Sequence, residues 1–181
     1  MEGDEQLRLF CALLLPPAAV DGLAAWQTAE LVPHGERLRL VSPKNLHVTL
    51  AFLGATPAVR AGEAGEALRK ACAGRERPLF AVDRYRETRS VAMIELTDDS
   101  GRGGAIAEAV FDALEARGLY RREDRRWLPH VTVARFHSRP RLSPALPDLN
   151  EVAPSDAAVM ISRLRPGGAQ YEVFESVSLG G

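Results

Sequence analysis

Apolar and polar residues alternate along the 181-residue chain in short blocks of two kinds. Runs rich in β-branched and other apolar residues, bounded by Gly, Pro or charged clusters, predict strands at 7–15, 37–41, 46–53, 79–86, 90–97, 128–136, 156–164 and 170–179. The segment VAMIEL within 90–97 is typical of them. Helical spacing predicts helices at 17–31, 58–74 and 102–118. In the last of these, Ala105, Ile106, Ala109, Val110, Ala113 and Leu114 make one apolar face and Gly118 is a natural stop. Gly54 is read as the close of strand 46–53, and the proline-rich SRPRLSPALPD at 138–148 as a loop. Strands do not alternate regularly with helices. The pattern therefore implies an α+β fold with mostly antiparallel sheet rather than a doubly wound one.

Composition narrows this only a little. The length implies one domain over 1–181, or two small lobes sharing a core. Hydrophobic residues at 46% and charged residues at 26% are ordinary for a globular chain. Cys11 and Cys72 match no metal or redox spacing and are read as small core residues of a reduced, cytoplasmic protein. The run LFCALLLPPAAV at 9–20 follows Glu2, Asp4 and Glu5 and is broken by Pro16 and Pro17. It lacks the basic leader of a signal peptide and the length of a membrane span, so it reads as a buried strand followed by a helix start. A net charge of −1 argues against a general binder of long nucleic acid tracts. Eight arginines nevertheless fall between Arg117 and Arg141, against only Glu123 and Asp124. That segment suits a phosphate-bearing substrate, and equally a solvated arginine-rich face.

The candidate chemistry lies in a repeat. NLHVTLAFLG at 45–54 returns as LPHVTVARF at 128–136, and these copies hold two of the four histidines. Residues i and i+2 of a strand share a face, so His47 and Thr49 project together, with Val48, Leu50 and Phe52 opposite. His130 and Thr132 repeat the arrangement against Val131 and Val133. If the lobes are related by a pseudo-twofold axis, two imidazoles and two hydroxyls meet in one cleft. Two histidines that titrate near neutral pH form an acid–base pair, and the threonines can donate to phosphoryl oxygens. No Ser or Cys nucleophile stands beside either histidine, and no companion Asp, Glu or Cys has metal-ligand spacing. By strand parity Arg135, five residues after His130, falls on the face opposite His130 unless the strand bulges, twists or ends near Ala134. Phe52, at the same offset in the first copy, fits core packing. Arg8 and Phe10 share a face of the first strand and could line the cleft, Phe10 as a base-stacking platform. Trp127 and Tyr171 read as packing residues, and His34 and His137 as exposed loop residues.

These residues resemble the 2H phosphoesterase superfamily, named for two H-x-[ST]-hydrophobic motifs. The likeness is strongest to its bacterial and archaeal RNA 2′,3′-cyclic phosphodiesterase branch, also called 2′-5′ RNA ligase-like. It runs nearly end to end, through LRLFCALLLP (7–16), NLHVTLAFLG, RWLPHVTVAR (126–135) and SRLRPGGAQYEVF (162–174). The resemblance implies a bilobal α+β fold with two mostly antiparallel sheets and a central cleft. It implies hydrolysis of RNA or nucleoside 2′,3′-cyclic phosphate to a 2′-phosphate, with no metal and no cofactor, and weak reversible 2′-5′ ligation. His47 and His130 match the catalytic pair, and Thr49, Thr132 and Arg135 the phosphate-binding groups. His130 is expected to activate water and His47 to protonate the leaving 3′-oxygen, though the sequence allows the exchange. RNA ends or small cyclic nucleotides are the expected substrates, with no membrane and no obligate protein partner, the chain acting as a monomer. Two alternatives stay open: a non-catalytic reader of cyclic-phosphate RNA ends, and a 2H phosphodiesterase for another cyclic or 2′-5′-linked nucleotide.

Overall fold

A computed structural model describes residues 5–180. Eight strands form one curled, wholly antiparallel sheet in the order β4-β5-β6-β3-β1-β7-β8, with β2 paired to β6. They are β1 (Gln6–Leu14), β2 (Arg39–Leu40), β3 (His47–Pro57), β4 (Ala81–Glu87), β5 (Val91–Thr97), β6 (His130–Arg135), β7 (Asp156–Arg165) and β8 (Gly168–Ser178). The helices are α1 (Pro17–Trp26), α2 (Ala61–Cys72) and α3 (Arg102–Glu115).

Two four-stranded lobes are visible within this sheet. One is β3-β1-β7-β8 and the other is β4-β5-β6 with β2. They join at a single register pair, Val48 with Val131. The bilobal α+β architecture is as expected, with the two expected sheets fused across that seam.

All three helices cover one face. Leu23 and Trp26 of α1, Leu68 of α2, and Ile106 and Leu114 of α3 share a core with Leu9, Cys11, Val48, Val131 and Val159 of the sheet. Both cysteines are buried in or beside it, and burial pushes the Cys11 thiol up to about 12. The opposite face carries only a small apolar cluster around Phe10, Ala12, Ala158 and Met160. Segregating helices to one face leaves the other free for a site.

Several elements depart from the sequence reading. The first helix ends as α-helix at Trp26, then continues as a π turn (Gln27–Leu31) and a 3₁₀ stretch (Val32–Arg37). The buried face of α3 runs through Gly103, Ile106, Ala107, Val110, Phe111 and Leu114, rotated away from Ala105. Gly54 does not close its strand. It sits within β3 at φ 72°, beside a register shift that leaves Leu53 unpaired. A positive φ is one glycine adopts without Cβ strain, so the strand bends there and runs on to Pro57.

Candidate functional site

The two motif strands meet at equivalent positions. Val48 follows His47, Val131 follows His130, and these valines are register partners in an antiparallel pair. One step either way sets His47 opposite Thr132 and Thr49 opposite His130, on the face away from the helices. The local twofold relation expected from the repeat is thus built into the seam.

Bulges complete the arrangement. Between β5 and β6, Ala92 pairs with Ala134 but Met93 with Thr132, leaving Val133 unmatched. Between β1 and β3, Cys11 pairs with Ala51 but Ala12 with Thr49, leaving Leu50 unmatched. Each bulge shifts strand parity by one. Arg135 therefore stands on the face of His130 and Thr132, and Phe52 on the face of His47 and Thr49. Both copies read the same way: His and Thr half-buried, the Val between them and the next two residues buried, the sixth exposed. Phe52 therefore does not pack in the core, contrary to the sequence expectation. It is 47% exposed, with the Arg8 guanidinium 4.8 Å from its ring centre.

Buried polar contacts hold these strands in place. Gln27, only 3% exposed on the π turn after α1, donates through Nε2 to Val41 O (3.0 Å) and to Val133 O (2.8 Å). Its amide thus grips the bulged residue of β6. Trp127 donates from Nε1 to Thr49 O at 3.0 Å, so it supports β3 between the motif residues. Asn45 donates from Nδ2 to Ala169 O at 2.8 Å, tying the β7–β8 hairpin to the first motif.

His47 is fixed at both ring nitrogens. Nδ1 lies 2.7 Å from Asn45 O and Nε2 lies 3.0 Å from Thr49 Oγ1. A carbonyl only accepts, so Nδ1 carries the proton and the neutral ring presents its Nε2 lone pair to Thr49. Phe10 and Tyr171 pack against the imidazole at centroid distances of 5.0 and 5.4 Å. Burial pushes the His47 pKa down, the Asn45 carbonyl opposes that, and the charges of His130 and Arg135 lower it further. His130 holds its tautomer the same way, with Nδ1 2.9 Å from Leu128 O.

A cavity of about 370 Å³ opens over this face. His47, Thr49, Thr132 and Arg135 line it, and His130 lies alongside rather than among the lining residues. Arg8, Arg39 and Arg165 join Arg135, so four guanidiniums and no carboxylate face the cavity. Such a lining attracts an anion and disfavours a cation. Among the described residues no three His, Cys, Asp or Glu side chains come together as a metal site, and no helix is long and apolar enough to cross a membrane.

Arg8 and Phe10 both reach the cavity. Phe10 is 3% exposed and its ring packs against His47 and Tyr171, so it buttresses the imidazole. Tyr171, read as packing, also lines the cavity. Of the eight arginines between 117 and 141, Arg135 alone lines it. Arg122 is taken by Glu108, Asp112 and Glu115, Arg125 by Glu123, and Arg139 by Glu87. Sequence reasoning missed Arg39 and Arg165, which come from distant strands and carry no local signal. It also missed Phe52, whose signal was the apolar pair Leu50-Ala51 matching Val133-Ala134.

The model of the 2′-5′ RNA ligase superfamily matches residues 15–165. Among solved structures, LigT from E. coli in its apo form is 25% identical, over 98% of this chain and 100% of that one, with a TM-score of 0.75. A Thermus thermophilus protein is 26% identical over 97% and 99%, with a TM-score of 0.76. A further crystallised phosphoesterase is 25% identical over 98% and 100%, with a TM-score of 0.77. No curated protein matches the chain significantly.

Proposed function

From the chain's place in the 2′-5′ RNA ligase superfamily, to which it belongs, we propose that it hydrolyses the 2′,3′-cyclic phosphate of RNA ends or nucleosides to a 2′-phosphate. Membership puts the reaction within phosphodiester chemistry. The observation that carries the finer reading is the Val48–Val131 pairing, which sets a histidine of each motif beside the threonine of the other.

The chemistry needs two proton transfers on opposite sides of one phosphorus. A neutral histidine takes a proton from water as its oxygen attacks. The P–O3′ bond breaks in line, and the other histidine, as imidazolium, gives the departing 3′-oxygen its proton. The 2′-phosphate and a free 3′-hydroxyl remain. Thr49, Thr132 and Arg135 suit the non-bridging oxygens, where charge is concentrated. The exposed face of Phe52 and the ring of Tyr171 offer aromatic surface for a base. E. coli LigT, of the same fold, has been crystallised with 3′-AMP and with phosphate.

The sequence expectation gives the base to His130. The depressed basicity of His47, which keeps its ring neutral with Nε2 as an acceptor, favours the exchange, with His47 as base and His130 as acid. A 5′-hydroxyl of a second RNA in the place of water would make a 2′-5′ bond by the same in-line path, as a slow side reaction.

Phosphorus NMR of a cyclic nucleotide incubated with the protein tests the reaction. A 2′-phosphate is the expected product, whereas a 3′-phosphate or unchanged substrate overturns the reading. A substrate with sulfur as the 3′ leaving atom tests the roles, since it needs no protonation. It is expected to restore His130→Ala far more than His47→Ala, and the reverse result returns the base to His130.

A further inference from the structure

The face that carries the two motifs continues past His130 to the free edge of the sheet. Glu95 on β5 is the register partner of His130, and Met93 is the partner of Thr132. On β4, Arg84 pairs with Glu95 and Arg86 with Met93. A register shift leaves Asp83 unmatched between Val82 and Arg84. As in β3 and β6, the bulge changes parity. Val82 and Tyr85 pack on the core, while Arg84 and Arg86 turn to the face of His130.

Glu95 is 1% exposed, and both its oxygens are engaged. Oε2 accepts from Arg84 Nε at 2.5 Å and Oε1 from Arg86 Nη1 at 2.8 Å. Both arginines are otherwise largely open to solvent. A guanidinium has five N–H groups, so most donors of each fork remain free. Burying a carboxylate is a weak way to gain stability, and an edge strand is protected well enough by surface charge alone. What the buried Glu95 does supply is orientation, holding two forks side by side with a net positive charge.

We propose that Arg84 and Arg86 form a second anion subsite, which takes the phosphate on the 5′ side of the nucleotide whose cyclic phosphate lies between the histidines. The inference rests on the cyclic-phosphate reading above and names its substrate class. The β4 backbone is two strand spacings from β6, about 9.5 Å, and the two guanidiniums are held over β5 at Glu95, on the far side of His130 from the cavity lined by Arg135. An RNA end, or a cyclic nucleotide with a 5′-phosphate, engages both places. A bare nucleoside cyclic phosphate engages only one.

The test compares kcat/KM for uridine 2′,3′-cyclic phosphate with and without a 5′-phosphate. Wild type is expected to favour the 5′-phosphorylated compound by about tenfold or more, as charge-assisted fork contacts would give. Removing the arginines alone would strand a buried carboxylate, so the variant is R84Q/R86Q/E95Q, which leaves amides in their places. Its preference is expected to fall to within about twofold. Wild type alone supplies a second reading, because the preference should shrink as salt is raised. No preference in wild type, one indifferent to salt, or one kept by the triple variant overturns the subsite. Failure of wild type to turn over either compound overturns the cyclic-phosphate reading itself, and the subsite with it.

Discussion

At the scale of single residues, the proposed mechanism makes His47 set the pH response. Its folded pKa lies below the ordinary 6.5, chiefly through burial. As the base it works in its neutral form, so activity rises as pH climbs through that depressed value. The acidic limb of kcat/KM is therefore expected to have its midpoint below 6.5. A midpoint above 6.5 would contradict His47 as the base. Arg135 gives a second test. Arg135→Lys keeps the charge but loses the planar fork, and a loss of about tenfold in kcat/KM is expected. Kinetics indistinguishable from wild type would remove Arg135 from the phosphate site. The His-x-Thr pairs were legible in the sequence because their chemistry and spacing are local. Arg135 was legible only through the family resemblance and Phe52 not at all, because parity counting assumes an unbroken pleat and each strand breaks it once between its histidine and these residues.

At the scale of elements, the bulges and their supports decide where functional groups point. The amide of Gln27 holds Val133, and with it the turn that exposes Arg135. Gln27→Leu keeps the volume but removes both donations. It is expected to cost about 1–3 kcal/mol of stability and to lower kcat/KM through Arg135. In an Arg135→Met background that kinetic loss should vanish, as coupled residues require. An undiminished loss there would mean Gln27 acts on folding alone. A polar side chain at a helix end gives no hint in sequence that its partner lies 106 residues away.

The loop at 138–148 is fastened by Glu87 in the same manner. Its carboxylate accepts from Leu142 N at 2.7 Å, Tyr85 Oη and Arg141 N at 2.9 Å each, and Arg139 Nε at 3.2 Å. Burial alone would raise the Glu87 pKa, but these donors outweigh it and hold it below 4.5. The stabilisation is complete above the unfolded value of 4.5 and lost as pH falls through the lower folded one. Glu87→Gln is expected to destabilise by about 2–4 kcal/mol at neutral pH, with the gap narrowing in urea melts below pH 4.5. An equal gap at neutral and acid pH would assign the effect to packing.

For the whole molecule, an overall charge of −1 conceals a polarised distribution. Four guanidiniums face the cavity, while Arg117, Arg122, Arg125 and Arg139 of the 117–141 segment are held by carboxylates elsewhere. Composition therefore understated the local field, and the basic segment pointed to the wrong set of side chains apart from Arg135. The antiparallel α+β class and the placing of both motifs on strands followed from pattern, but the fusion of two lobes at Val48 and Val131 is a long-range event with no local mark. That seam is central to the proposed function, because it brings together the two remote histidines of the proposed acid–base pair. The most direct test is turnover of a 2′,3′-cyclic nucleotide by wild type, His47→Ala and His130→Ala, with folding checked by thermal melting. A fall of about 10²–10⁴ in kcat is expected for each variant, both still folded and binding substrate. Turnover surviving in either folded variant, or binding with no turnover in wild type, would contradict the proposed pair.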